Sequence, residues 1–319
     1  MNTEHSSLTI RFRGVRGSIP SPGKGTTRYG GNTSCIELRC EGQLLILDAG
    51  SGIRDLGNDL IRESGGKPVR ADLLISHTHW DHIQGFPFFS PAYTPGNRVR
   101  IFTVKGLTSD LESALRGQMQ STHFPITLNR MEGICGFEEL PRDAAQVGPY
   151  SIDSMPLNHP GGCAGFRIQT EYGSLAYLPD HEPFRTSSSG PSVAPQEMAL
   201  MEFIRGVDLL ILDTQYTDEE YANRVGWGHG CLRDSVMLAE KAQVGQLALF
   251  HHDPCHHDEY IDLMVEAGRE MNGVSGVEIW AAAEMQTLIM RRKSSKCDCG
   301  MAPCQMGDVI LPAQSVSRA

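Results

Sequence analysis

The sequence has little that would mark a membrane or secreted protein. No apolar run in the 319 residues approaches the roughly 20 residues that a membrane-spanning helix needs. The first residues, "MNTEHSSLTIRFRG", lack the basic and then apolar order of a signal peptide. The nine cysteines are scattered and odd in number, which fits reduced thiols better than a disulfide framework. These absences predict a cytoplasmic protein with no membrane partner.

Positive charge is also scarce. The chain has 28 Lys and Arg against 38 Asp and Glu, a formal net charge of −10. Binding along a nucleic-acid backbone needs clustered basic residues, so this balance predicts that no long nucleic acid is a partner. No Walker pattern is present, so nucleoside triphosphate binding is not implied. A small anionic substrate attracted by metal ions agrees with these features.

The apolar residues fall into short β-rich runs such as "LTIRFRG", "QLLILDAG", "ADLLISH", "SLAYLPD" and "QLALFHH". Patterns of helical period lie between them, at residues 52–64, 107–119, 196–205, 231–243 and 257–271. This mixture predicts an α/β architecture in which helices cover sheets. We expect one domain over residues 1–292 and a mobile C-terminal tail over residues 293–319, where Cys297, Cys299 and Cys304 lack the fourth ligand of a metal site.

The stretch "LLISHTHWDHIQGFP", residues 73–87, holds three histidines and an aspartate within six positions. His77 and His79 are two apart, so in an extended segment their side chains point the same way. Asp81 and His82 follow where a helix can begin, and they would reach a second nearby point. Imidazole and carboxylate are zinc ligands. A helix cap at Asp81 with histidines in a polar turn is the alternative, but the pattern H-x-H-x-D-H favours metal binding.

This motif resembles the hallmark of the metallo-β-lactamase superfamily, and the resemblance extends over most of residues 8–255. It implies a four-layer αββα sandwich and two divalent ions, with zinc expected first and manganese or iron as alternatives. It also implies three later ligands, namely His159 in "MPLNHPGG", Asp180 in "SLAYLPD" and His251 in "LALFHHDP". Each of these three alone could be an ordinary loop or strand-end residue. The neighbouring His252 is the alternative to His251.

The resemblance implies a division of these ligands between the two ions. His77, His79 and His159 would hold one ion, Asp81, His82 and His251 would hold the other, and Asp180 would lie between them. Because two divalent ions and two aspartates leave a net positive site, the centre would attract and polarise a phosphodiester.

Within the superfamily the chain resembles the branch of transfer-RNA 3′-processing endonucleases and phosphoribosyl cyclic phosphate phosphodiesterases. Asp180 stands where lactamases often have cysteine, and the segments "DLLILDTQY" and "GWGHG" follow it. In that branch an acidic residue and a histidine form a proton-donating pair, and Asp213 and His229 are the matching positions. The alternative is a strand-end cap and a glycine-flanked loop residue.

These features together predict a dinuclear metal-dependent phosphodiesterase. A bridging hydroxide, oriented by Asp81, would attack phosphorus, and His229 would protonate the leaving group. The nuclease relatives hold transfer RNA with a protruding basic arm, and no long Gly- and Lys-rich insertion of that kind is present. We therefore expect a small or cyclic phosphodiester, such as a cyclic nucleotide or a sugar cyclic phosphate, and, from the relatives, a homodimer. The alternatives are lactone or thioester hydrolysis at the same site, and a non-catalytic anion-binding protein.

Substrate contacts are predicted at two places. The polar segment "GVRGSIPSPGKGTTRYGGNTSC", residues 14–35, could present Arg16 and Asn32 to a phosphate, although a plain surface loop is the alternative. His181 and Glu182 directly follow Asp180 and depart from the nuclease pattern, which makes them pocket candidates. His252 is a further substrate candidate.

Overall fold

The computed structural model of the protein describes residues 6–106, 110–184, 194–273 and 275–292. The predicted tail and its three cysteines lie outside the described residues, and the single domain over residues 1–292 stays a prediction. In the described part of the chain, no helix combines the length and the apolar character needed to cross a membrane.

The described residues form fourteen strands, eight α-helices and three short 3-10 helices. The strands are β1 (Ser7–Gly14), β2 (Cys35–Cys40), β3 (Gln43–Leu47), β4 (Arg70–Leu74), β5 (Arg98–Val104), β6 (Ile134–Leu140), β7 (Ala145–Val147), β8 (Tyr150–Leu157), β9 (Cys163–Thr170), β10 (Gly173–Leu178), β11 (Leu209–Asp213), β12 (Gln246–Phe250), β13 (Glu278–Ala281) and β14 (Thr287–Arg291). The α-helices are α1 (Ile53–Ser64), α2 (Trp80–Ile83), α3 (Ser90–Tyr93), α4 (Leu111–Gln118), α5 (Pro195–Phe203), α6 (Asp218–Tyr221), α7 (Leu232–Lys241) and α8 (Asp258–Asn272).

The strands make two seven-stranded sheets that face each other. The first has the order β14-β1-β2-β3-β4-β5-β6, and the second has the order β13-β12-β11-β10-β9-β8-β7. The chain thus builds most of the first sheet, crosses to the second after β6, and returns to the first with β14. Successive side chains of a strand point to opposite faces of its sheet. In β1, Leu8, Ile10 and Phe12 therefore share one face, and all three are fully buried in the core between the sheets.

Two further cores lie on the outer faces of the sheets. On the first sheet, α1 buries Ile53, Leu56 and Leu60, which are spaced as one face of a helix. On the second sheet, α7 and α8 bury side chains such as Val236 and Ile261. Three hydrophobic layers between four layers of structure confirm the predicted αββα sandwich.

The helix predictions agree with the structure to within about two residues at most ends. The pattern at 52–64 is α1, that at 196–205 is α5, and those at 231–243 and 257–271 are α7 and α8. The pattern at 107–119 is α4, which begins at Leu111, while residues 107–109 lie outside the described part. The helix began later than predicted because Asp110 caps it, accepting a hydrogen bond from the Ser113 N–H.

Strand direction brings the polar residues to one edge. β3 and β4 are parallel, and so are β10, β11 and β12. β8 is antiparallel to β9, which is antiparallel to β10, so β8 and β10 also run the same way. Side chains that follow the carboxyl ends of β4, β8, β10, β11 and β12 are therefore brought together.

Candidate metal centre

The first group of potential ligands contains residues from three strand ends. One ligand atom from each of four residues lies within 4.8 Å of the others, and the four are His77, His79, His159 and Asp180. Nδ1 of His79 is 2.9 Å from Nε2 of His159. Oδ2 of Asp180 is 3.5 Å from Nε2 of His77 and 3.5 Å from Nε2 of His159.

The second group shares Asp180 with the first. It contains Asp81, His82, Asp180 and His251, again within 4.8 Å of one another. Oδ1 of Asp180 is 2.9 Å from Nε2 of His82 and 3.4 Å from Nε2 of His251. Because Oδ2 faces the first group and Oδ1 faces the second, Asp180 is placed between them as a bridging carboxylate would be.

The cluster contains buried polar atoms that lack hydrogen bonds. Nε2 of His77, Nε2 of His82 and Oδ1 of Asp180 are all buried without a hydrogen-bond partner, although the last two are only 2.9 Å apart. Leaving such groups unsatisfied costs about 1–3 kcal/mol each. Lone pairs that converge on a common point without a proton between them are what a divalent cation requires. The donor set therefore fits two divalent ions.

In four of the five ligand histidines, the ring nitrogen that faces away from the ligand groups is held by a neighbouring group, which fixes the ring. The pairs are His77 Nδ1 with Ser76 Oγ at 3.1 Å, His82 Nδ1 with Asp48 Oδ2 at 2.8 Å, His159 Nδ1 with Gly228 O at 2.8 Å, and His251 Nδ1 with Gln215 Oε1 at 3.1 Å. Such contacts select the tautomer and leave Nε2 free for a metal.

Asp48 is a site residue that the sequence reasoning missed. Its carboxylate accepts hydrogen bonds from the Ser76 N–H and hydroxyl at 2.7 and 2.8 Å, from the Tyr177 hydroxyl at 2.8 Å, and from His82. It adopts a left-handed backbone with φ 60°, as does His251 with φ 61°. Non-glycine residues held there are strained, and such strain collects at functional sites. The one signal was its place after "LLIL" and before Ala-Gly.

The electrostatics keep Asp180 and His77 in the forms that bind cations, but not His82. Burial opposes charge on His82, yet the carboxylates of Asp180, Asp81 and Asp48 raise its pKa well above the ordinary value, so a cation would have to displace a proton from this ring. Burial opposes charge on Asp180, but the facing rings of His251 and His82 hold the pKa of its carboxyl well below the ordinary value. Burial lowers the pKa of His77 well below its ordinary value, so this ring is neutral. An ionised carboxylate and a neutral imidazole are the ligating forms.

Beside the ligands lies a histidine–aspartate pair. His229 Nδ1 donates to Oδ2 of Asp213 at 2.9 Å and is 3.9 Å from Oδ2 of Asp180. Asp213 is fully buried and also accepts the backbone N–H groups of His181 and Gln215. Burial opposes charge on His229, but the carboxylate of Asp213 outweighs it and raises the pKa of the ring to about 9.

Glu182 holds the loop that carries His229. Its carboxylate accepts the Tyr221 hydroxyl at 2.7 Å, the Gly226 N–H at 2.8 Å and the Gly228 N–H at 2.8 Å. Since the Gly228 carbonyl also holds Nδ1 of His159, this loop connects the first ligand group to the pair. The residues that Glu182 contacts are 39 to 46 positions away in sequence. No local sequence pattern could therefore predict this role.

The structure places Arg16 and Asn32 in the framework of the loops. Arg16 is fully buried, and its guanidinium donates to the carbonyls of Gly30, Asp253 and His256 at 2.7, 3.1 and 2.7 Å. The Asn32 side-chain amide donates to Glu284 Oε2 at 3.1 Å, and its carbonyl accepts from a serine hydroxyl. Most of their polar groups bind the protein, while Nη2 of Arg16 is buried without a hydrogen-bond partner. The phosphate contacts of Arg16 and Asn32 stay predictions.

His252 and His181 lie outside both ligand groups. Nε2 of His252 donates to the Ala282 carbonyl at 2.8 Å, so of the two adjacent histidines only His251 joins a group. Nδ1 of His181 accepts the Asn158 N–H at 3.3 Å. Burial lowers the pKa of each ring to about 3, so both are neutral.

An αββα sandwich with two His/Asp ligand groups and a histidine–aspartate pair defines a class, the metal-dependent hydrolases with a dinuclear site. The family model described as "Beta-lactamase superfamily domain" matches residues 45–252, which is more than half of the 319 residues and includes every ligand named above. The chain belongs to this family.

Similar proteins agree with this assignment. Ribonuclease Z of Thermoplasma acidophilum is 23% identical over 83% of this chain and 92% of its own length, and ribonuclease Z of Sulfolobus acidocaldarius is 26% identical over 76% and 87%. Among solved structures, a diphosphatase from the PhnP family is 21% identical with a TM-score of 0.61, covering 88% of this chain and 97% of its own. The short form of human tRNase Z is 17% identical with a TM-score of 0.58, covering 88% and 98%. The diphosphatase and the human tRNase Z thus have the same overall fold as this protein.

These findings confirm the predicted superfamily and branch, and the prediction of a dinuclear metal-dependent hydrolase of the phosphodiesterase kind. The prediction that no long nucleic acid is a partner is contradicted, because the curated relatives are ribonucleases. The net charge of −10 is a sum over the whole chain and does not report the electrostatic potential at one site. For this reason it is a poor guide to whether the protein binds a nucleic acid. The homodimer and the cytoplasmic location stay predictions.

Proposed function

We propose that this hydrolase cleaves a small or cyclic phosphodiester, with His229 as the general acid. The observation that supports this most directly is the pair of His229 and Asp213 at 2.9 Å, directly beside the shared ligand Asp180. A protein that only bound a metal or an anion would not need a fixed proton donor there. Thioester hydrolysis releases a thiolate, which has less need of this proton donor, whereas a lactone also releases an alkoxide and has to be distinguished by experiment.

The ligand residues would hold two divalent ions, one in each group, with zinc proposed first because its usual ligands are imidazole and carboxylate. Manganese and iron remain the alternatives. The chemistry that such ions supply when bound is polarisation of a phosphoryl oxygen and a lowered pKa of water. The metal content of protein purified without added metal identifies the native ion.

The protein's own residues would position the nucleophile. The backbone N–H of Ser18 donates to Oδ2 of Asp81 at 2.7 Å, and Nε2 of His251 lies 3.0 Å from the same oxygen. These contacts fix the carboxylate of Asp81 within the second group. We assign Asp81 the orientation of the attacking water as well as ligation.

His229 would complete the reaction. Its Nδ1–H is committed to Asp213, so Nε2 is the nitrogen that can carry a transferable proton. In-line displacement expels an alkoxide, and proton donation from Nε2 to that oxygen would stabilise the leaving group. Asp213 would hold the tautomer and stabilise the charged ring, and it is itself held by two backbone N–H groups.

Two observations bear on the substrate. A cavity of about 400 Å³ beside His159, lined by residues that include Asn158, Glu182, Tyr221 and Val225, matches the size of a small-molecule site. The curated relatives, on the other hand, are named ribonuclease Z. The 3′ end of an RNA precursor is therefore the second candidate substrate.

The decisive experiment measures turnover by metal-loaded protein on one panel. The panel contains 2′,3′- and 3′,5′-cyclic nucleotides, ribose cyclic phosphate, cyclic dinucleotides, a precursor transfer RNA with a 3′ extension, and a lactone. We expect cleavage of a phosphodiester that is lost in Asp81→Ala. Asp55→Ala is the control, because Asp55 is exposed and lies on α1, away from the ligands. Cleavage of the lactone alone would overturn the proposal, and cleavage of the RNA alone would select the second candidate.

A further inference from the structure

Two of the three tryptophans of the chain are exposed beside the metal centre. The exposed fraction is 79% for Trp80 and 62% for Trp227, whereas Trp280 is 6% exposed in the core between the sheets. Tryptophan is the largest apolar side chain, and leaving it in water forgoes a substantial gain in free energy. Such residues on a surface mark binding sites when they occur together.

The two exposed tryptophans flank the same ligand. Trp80 stands between the ligands His79 and Asp81, and Trp227 directly precedes Gly228. Two short contacts connect the neighbours of these tryptophans, from His79 to His159 at 2.9 Å and from His159 to the Gly228 carbonyl at 2.8 Å. Each tryptophan is thus next in sequence to a residue at one end of this series of contacts. Both are exposed residues that border the first ligand group along the chain.

Trp227 is held in place although it is exposed. Its backbone N–H donates to the Arg224 carbonyl at 3.1 Å. The Arg224 guanidinium lies 6.0 Å from the Trp227 ring centroid and 4.9 Å from the Tyr216 ring centroid. Glu182 binds the N–H groups of the glycines on both sides of Trp227. A fixed backbone reduces the entropy lost when a ligand stacks on this ring.

We propose that Trp80 and Trp227 form a subsite that stacks the aromatic base of a nucleotide whose phosphodiester lies at the ligand groups. The proposal rests on the proposed function. A phosphodiester at the metal centre would bring its attached sugar and base close to the segments that carry Trp80 and Trp227, because these residues adjoin His79 and Gly228. Bases stack on indole rings whatever their hydrogen-bonding edge, so this subsite would favour nucleotides over base-free sugar phosphates without selecting one base.

Kinetics with matched substrates test the subsite. In Trp80→Ala or Trp227→Ala, kcat/KM for 2′,3′-cyclic AMP should fall about 5- to 150-fold, the equivalent of about 1–3 kcal/mol per stacked base. The loss on ribose 2,3-cyclic phosphate, which has no base, should be at least fivefold smaller. Phenylalanine at either position should restore most of the activity, because it also stacks. Leu263→Ala is the control, since Leu263 is 61% exposed on α8 and should change neither substrate.

Fluorescence provides a readout that does not need turnover. Trp80→Phe and Trp227→Phe each leave one exposed tryptophan in addition to the buried Trp280. The ligand-induced change in fluorescence of each variant therefore reports on a single exposed indole. AMP should quench the remaining exposed tryptophan in both variants, with saturation, and base-free ribose 5-phosphate should not.

The outcomes separate the subsite from the function. Saturable quenching by AMP without cleavage of any phosphodiester would refute the proposed function and support the subsite. Cleavage of phosphodiesters with equal losses on the nucleotide and the base-free substrate would refute the subsite alone. The absence of both quenching and cleavage would refute both.

Discussion

At the scale of single residues, key histidines of the site have one ring nitrogen held by a neighbouring side chain and the other directed at the centre of the site. His82 shows the principle, because one ring nitrogen is fixed by Asp48 and the other faces Asp180 and its group. His229 has the same construction, with Asp213 as the fixing residue. The difference is that Nε2 of His229 would face the leaving group and not an ion. Loss of the His229 side chain should therefore lower the catalytic rate more than it lowers the metal content.

His229→Ala should lower kcat for a substrate with an alkoxide leaving group by about 10²- to 10⁴-fold, the usual contribution of a general acid. The loss should be much smaller for a nitrophenyl phosphodiester, because nitrophenolate leaves without a proton. Steady-state rates on the two substrates and the metal content of the variant are the measurements.

His123→Ala is the matched control, because His123 is exposed and lies in neither ligand group. Equal losses on both substrates, with the full metal content retained, would remove His229 from the role of general acid.

At the scale of elements, the loop between α6 and α7 couples a ligand to the acid. Glu182 binds the N–H groups of Gly226 and Gly228, and the Gly228 carbonyl binds His159. Both glycines have a left-handed backbone, with φ 87° and 89°. Their surroundings differ, because a Cβ on Gly228 would lie 2.4 Å from Nδ1 of His159, whereas a Cβ on Gly226 would meet nothing within 4 Å.

These two glycines provide a matched pair of substitutions. Gly226→Ala and Gly228→Ala carry the same backbone strain, which is about 1–2 kcal/mol for a left-handed residue with a side chain. Only Gly228→Ala should also displace His159, so it should weaken metal binding at the first group by roughly 10- to 100-fold, as other changes to the supports of a ligand do. Equilibrium dialysis against zinc measures this, and thermal unfolding of the metal-free proteins measures the shared strain. Equal zinc affinities in the two variants would contradict the role of the loop.

At the scale of the whole molecule, the predictable part of the site is the part whose signal is local. His77, His79, Asp81 and His82 form a pattern within six positions, and the later ligands stand one or two positions after the ends of strands. The fold was predictable for the same reason, because period and strand-forming composition are local properties.

The residues that the sequence did not reveal depend on distant contacts. Arg16 lies in a glycine-rich segment for which a phosphate contact is predicted, and its guanidinium binds the carbonyls of Asp253 and His256, 237 and 240 residues away. Asp48 supports His82 from 34 residues away. No window of sequence contains both partners of such a contact, so a sequence pattern cannot distinguish a residue that binds a substrate from one that binds its own fold.

At the scale of the whole molecule, bound metal should also stabilise the folded state. The ligand groups bury Asp81 and Asp180 at the edge of the sandwich, where Oδ1 of Asp180 and Nε2 of His77 and His82 lack hydrogen-bond partners. Two ions, each present at 100 times its Kd, would stabilise the folded state by about 2.7 kcal/mol each. Removal with a chelator should therefore lower Tm by on the order of 10 °C. His159→Ala, which lacks one ligand of the first group, should show a smaller fall, and His123→Ala should show the full fall. A Tm that stays constant while metal analysis records the loss of both ions would mean that the ligand groups are rigid without metal, and that the sandwich alone holds these charges together.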